Sequence, residues 1–129
     1  MFRRFALSIA LVISGASPAV AAEGAIDEAE WRTLTDGKTV LYKLNGRLTG
    51  REYYPPGAYF SIFEDAASGI CYEGPWAYTE GRFCFLYADN FQCFSHHWRA
   101  GKIVSTSDVS GREQVIDQIQ SGDQLRCPH

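Results

Sequence analysis

Between Gly74 and Ile103 the chain reads GPWAYTEGRFCFLYADNFQCFSHHWRAGKI, with aromatic residues at alternate positions and breaks at Glu80-Gly81 and Ala100-Gly101. A period of two belongs to strands with one buried face, and dipeptides ending in glycine make tight reversals. The stretch therefore reads as three consecutive antiparallel strands. The rest of the chain must extend or close that sheet.

The turns set the register. With Glu80-Gly81 as a two-residue turn, Thr79 faces Arg82, Tyr78 faces Phe83 and Trp76 faces Phe85. These four aromatics share one face, while Glu73, Pro75, Ala77, Arg82 and Cys84 take the other. A four-residue loop from Tyr87 to Asn90 sets Cys84 opposite Cys93, at the separation a cross-strand bridge requires. A two-residue Asp89-Asn90 turn would instead set Cys84 opposite Ser95. Ala100-Gly101 brings Trp98 against Ile103 and His96 against Ser105. The inner face then holds Trp76, Tyr78, Phe83, Phe85, Tyr87, Phe94, His96, Trp98 and Ile103.

Upstream the same logic continues. Thr39 to Leu44 and Arg47 to Tyr54 flank Asn45-Gly46, a strong hairpin signal, and Pro55-Pro56-Gly57 forces the next reversal. Further strands are read at Ala58 to Phe63, Ile70 to Thr79, Arg82 to Ala88, Phe91 to Arg99 and Lys102 to Thr106. Gln114 to Gln120 reads as a last strand or a helical turn, because Val115, Ile116 and Ile119 fit neither period. Asp27 and Glu30 form a capping box ahead of Ala29, Trp31 and Leu34, which predicts a short helix over about 27–34. Trp31 is expected to pack on the sheet as core, or to plug it. The fold class is all-β: an antiparallel meander of seven or eight strands closing to a small barrel.

Residues 1–21 have the three-part layout of a cleaved signal peptide: Arg3 and Arg4, an apolar run from Phe5 to Ile13, then Ala19-Val20-Ala21. No cysteine stands at the cleavage site, so the expected product is a soluble periplasmic or secreted domain, residues 22–129, with a mobile leader from Ala22 to Ala25. That product carries 10 basic and 15 acidic residues, a charge of −5 that disfavours nucleic acid and anionic membranes. In an oxidising compartment Cys71, Cys84, Cys93 and Cys127 read as two disulfides, for which three connectivities exist. The register favours Cys84–Cys93, which leaves Cys71 for Cys127. A chain-entropy estimate gives these bridges roughly 3 and 4 kcal/mol. With no Cys-x-x-Cys pair, a zinc site is not expected.

The pattern Gly74, Trp76, Gly81, Arg82, Cys84 and Cys93, preceded by the Leu34 to Thr39 opening, resembles a family of small, exported, alphaproteobacterial proteins of unknown function, described as lipocalin-like. The resemblance covers about Leu34 to Ile103 and implies a barrel. It brings no catalytic residues, and Cys71 and Cys127 are additions to the simplest members.

Chemistry-bearing residues are few. His96 and His97 are adjacent in a strand and point to opposite faces, so they cannot chelate one metal together. His96 is read as a buried imidazole satisfied by Ser105 or Tyr87, and His129 as disordered. No Gly-x-Ser-x-Gly elbow or phosphate loop occurs, and Asp108, Glu113 and Asp117 read as a solvated face. No metal, cofactor or catalytic site is expected. The aromatic wall is expected to fill most of the interior. The functional alternative is a partial pocket for a small apolar or aromatic ligand, drawn from Trp76, Tyr78, Phe85, Tyr87, His96 and Trp98. A second reading is an envelope protein-interaction module, such as an inhibitor of a secreted hydrolase, acting through Tyr54 to Gly57 and Asp65 to Gly69. An enzyme would need His96 to act with a tyrosine or carboxylate. Oligomeric state has no signature in the sequence.

Overall fold

Nine strands and one helix form in the order β1 (Gly24–Ala25), α1 (Glu28–Thr35), β2 (Lys38–Leu44), β3 (Arg47–Tyr54), β4 (Phe60–Asp65), β5 (Cys71–Thr79), β6 (Arg82–Tyr87), β7 (Asn90–Arg99), β8 (Lys102–Ser107) and β9 (Glu113–Ser121). This computed structural model describes Gly15 and residues 24–129; apart from Gly15, the expected signal peptide and its cleavage site lie outside the described residues. β2 to β9 run as an antiparallel meander, and β9 pairs with both β8 and β2, so the eight strands close into a barrel. Closure leaves no bare edge around the ring.

The leader is not free where it is described. Gly24 and Ala25 pair with Trp98 and His97 of β7, along the edge that β6 does not reach, and the Ile26 amide donates to the His96 carbonyl at 2.8 Å. Asp27 then caps α1, accepting from the Glu30 amide at 2.8 Å. Trp31 faces inward, fully buried, against Tyr54, Phe83 and His96. The helix therefore plugs one end of the barrel.

Three hairpins turn as read. Asn45-Gly46, Glu80-Gly81 and Ala100-Gly101 all have positive φ at both positions, the requirement of a type I′ turn. The register at Trp76–Phe85, Tyr78–Phe83, Cys84–Cys93, His96–Ser105 and Trp98–Ile103 matches the sequence reading. One turn is tighter than expected. Tyr87 pairs with Asn90, so Ala88 and Asp89 alone make the reversal, with Ala88 at φ 51°.

Disulfides join Cys84 to Cys93 and Cys71 to Cys127, with Cα separations of 4.0 and 5.8 Å. The second bridge belongs to a strap formed by the last residues, which crosses the outside of β4. Glu64 on that outer face is 3% exposed and holds the strap by accepting from the Arg126 and Cys127 amides, at 2.6 and 3.1 Å. Its other oxygen pairs with Arg51 at 2.7 Å. Burial pushes the Glu64 carboxyl up, but the strap amides and Arg51 outweigh it and hold the group below its usual range. His129 is not free: its ring bonds Asp123 and the Cys127 carbonyl. The Cys71, Cys127 and His129 ligand atoms lie within 4.8 Å of one another, but the disulfide occupies both sulfurs.

Gly74 is required where β5 passes β6. A Cβ there would stand 1.8 Å from the Leu86 carbonyl oxygen, and backbone cannot yield as a side chain tip can. Gly74→Ala is expected to cost about 2–3 kcal/mol, the overpacking range. A urea midpoint indistinguishable from that of the unsubstituted protein would contradict this.

Candidate functional site: a half-open cavity with a buried carboxylate

Because α1 fills only one end, the other end stays open. A cavity of about 360 Å³ enters there, between Asp65, Tyr72, Asn90 and Gln114 at the mouth and Glu52, Phe85 and His96 inside. This volume lies within the usual range for small-ligand sites. The expectation of a largely filled interior is thus corrected. Aromatics fill the α1 end, and the alternation of side chains could not say where along the axis the filling stops.

The six residues named from sequence divide by that axis. Phe85, Tyr87 and His96 line the cavity. Trp76 lies at the plugged end, in edge contact with Tyr54 and within 6.3 Å of Phe83, while Tyr78 packs on Phe83 at 4.8 Å. Trp98 donates its indole N–H to Glu30 of α1 at 2.5 Å. All six belong to the face that the turn register sets as inner, but Trp76, Tyr78 and Trp98 do not line the cavity.

The residue that sequence reasoning missed is Glu52. It is 3% exposed and accepts from three phenols: Tyr42 at 2.7 Å and Tyr54 on one oxygen, Tyr87 on the other. Ser61 completes the cluster by bonding the Tyr87 hydroxyl. No arginine or lysine touches it among the described residues; Arg51, its neighbour in sequence, bonds Glu64 of β4. Burial raises the carboxyl above its usual range while the phenol donors of Tyr54, Tyr87 and Tyr42 pull it down. The three phenols are pushed up by burial first and then by the Glu52 charge, and stay protonated.

A β-bulge hid it. Tyr42 pairs with Gly50 but Lys43 pairs with Leu48, so Thr49 is extra and the alternation of β3 shifts phase at that point. Counting outward from Asn45-Gly46 without the bulge turns Glu52 to solvent. The available signal was Glu52 and Tyr54 recurring with period two on one strand, as Val40 and Tyr42 do on its hairpin partner.

His96 also departs from expectation. It is 2% exposed and faces Ser105 across the ladder, yet neither ring nitrogen has a hydrogen-bond partner. Its ring lies against Phe83 at 4.6 Å and Trp31 at 4.3 Å. Burial pulls its pKa down to about 3, so the imidazole is neutral. A neutral imidazole with both nitrogens free, on the wall of a cavity, offers one donor and one acceptor.

No family model, curated protein or solved structure matches this chain.

Proposed function

We propose that the protein is a non-catalytic binding barrel that takes one small ligand with an apolar or aromatic body through the open end. The observation that carries this reading is a cavity of about 360 Å³ walled by Phe63, Phe85 and Phe94, with polar groups at a few fixed points. Catalysis has no support in the site. His96 is wedged between Trp31 and Phe83, and the hydroxyls near Glu52 are high-pKa phenols rather than activated nucleophiles. Two disulfides and the leader sequence support a place in the periplasm or outside the cell. Among the described residues no helix is long and apolar enough to cross a membrane.

The neutral fluorophore N-phenyl-1-naphthylamine tests the reading. Its emission should rise and saturate at one equivalent on the oxidised protein. Gln114→Trp, which sets an indole across the mouth, should weaken that binding at least tenfold. A rise that never saturates sinks the reading. A saturable rise untouched by Gln114→Trp would place the probe on the exposed outer pair Leu86 and Phe91 and sink it equally.

A further inference from the structure

The polar end of the cavity is built of acceptors. With Glu52 ionised, the protons of Tyr42, Tyr54 and Tyr87 are all committed to its two oxygens, and the Ser61 hydroxyl donates to Tyr87. Two carboxylate oxygens offer about four acceptor sites, and three phenols occupy three of them. What Glu52, Tyr42 and Tyr87 still offer the cavity is therefore unused oxygen lone pairs. Asp65 at the mouth adds a second carboxylate, held ionised by its bonds to Ser68. No lysine or arginine lines the cavity among the described residues, and His96 is uncharged.

A buried anion without a counter-ion costs several kcal/mol unless something compensates it. Three phenol donors solvate Glu52 but do not neutralise it. The walls beside it, Phe63, Phe85 and Tyr72, present aromatic surfaces, which attract cations and accept apolar bodies equally. His96, unpartnered and buried on the same wall, is a further polar point that only a ligand could satisfy.

We propose that the ligand is a small organic ammonium ion with a ring-sized apolar body, its N–H donors held by Glu52, Tyr42 and Tyr87. This rests on the binding reading above and specifies its ligand class. An anion would meet two carboxylates and no cation. A neutral molecule would leave Glu52, which burial already pushes toward its protonated form, with no cation to hold it ionised.

Three probes of one shape and different charge test it: tryptamine, tryptophol and indole-3-propionate, titrated into the intact oxidised protein and followed by amide chemical shifts. Tryptamine should saturate, move amides of β3 and β6, and bind at least tenfold more tightly than tryptophol; indole-3-propionate should not bind. Glu52→Gln, which keeps the shape and removes the charge, should weaken tryptamine at least tenfold and change tryptophol less than twofold. Should Glu52→Gln lose its dispersed spectrum, Asp65→Asn at the mouth serves instead, with a threefold or greater loss for tryptamine alone. Equal affinities for tryptamine and tryptophol would overturn the ammonium assignment and leave the binding barrel standing. So would binding of N-phenyl-1-naphthylamine with none of the three indoles. Failure of all four probes overturns both.

Discussion

Trp31→Ala is expected to destabilise the protein by about 3–5 kcal/mol, the usual cost of deleting a buried indole. Trp31 is fully buried, and it is the single helix residue in ring contact with the barrel interior, touching Tyr54 of β3, Phe83 of β6 and His96 of β7. Removing it opens the plugged end and loosens α1, whose remaining ties are Leu34 and Thr35 against the barrel, the Trp98–Glu30 bond and the pairing of β1 with β7. Arg32 helps from the rim, its guanidinium 3.8 Å from the Tyr59 ring centroid. The melting temperature should fall by about 15 °C or more for a domain of this size. Trp31→Phe should recover much of the loss. The indole N–H makes no hydrogen bond, so only volume is missing. A melting temperature for Trp31→Ala within a few degrees of the unsubstituted protein would show that α1 is not the plug.

The second large effect is acid sensitivity centred on His96. Its folded pKa is about 3, against an ordinary value of 6.5 in the unfolded chain. A histidine pulled down in this way binds its proton more readily when unfolded. Its contribution is therefore fully present above about pH 6.5 and is lost as pH falls toward 3. At roughly 1.4 kcal/mol per pH unit, the loss is about 5 kcal/mol across that window. Glu64, held low by the strap and Arg51, adds to the loss at the acid end. Glu52 works in the opposite direction, since a raised carboxyl favours the folded state when protonated. Denaturant midpoints measured from pH 7 to pH 4 should fall steadily, and His96→Leu should flatten most of that slope. An unchanged slope in His96→Leu would move the effect to other groups.

Much of the architecture was legible because glycine turns and a period of two are local signals. Glu80-Gly81 and Ala100-Gly101 alone fix ten strand residues against ten others, and with the reversal between β6 and β7 the Cys84–Cys93 bridge and the inner face follow. Bulges account for several of the failures. In β9 a shift between Leu41 and Tyr42 leaves Asp117 extra, which places both Ile116 and Ile119 beside inward residues of β2 and spoils any simple period. In β3 the bulge at Thr49 conceals Glu52. The site itself depended on a third quantity, position along the barrel axis. Nothing local to Trp76 or Trp98 says that α1 will cover their end rather than the other. The empty ring nitrogens of His96 were illegible for a related reason: facing Ser105 across a ladder fixes proximity, but not whether the side chains meet.

The seam between β2 and β9 also sets when the barrel can exist. It pairs Lys38 with Ser121 and Lys43 with Val115, residues among the most distant in the described chain. Such contacts carry a large loop-closure cost and form late. A nascent chain that ends before Glu113 therefore has β2 and β8 as two open borders, and the final segment arrives as the last stave, with the Cys71–Cys127 bond sealing the strap after it. The carboxyl-terminal eighth of the chain thus decides whether all that precedes it becomes a vessel or remains a ribbon.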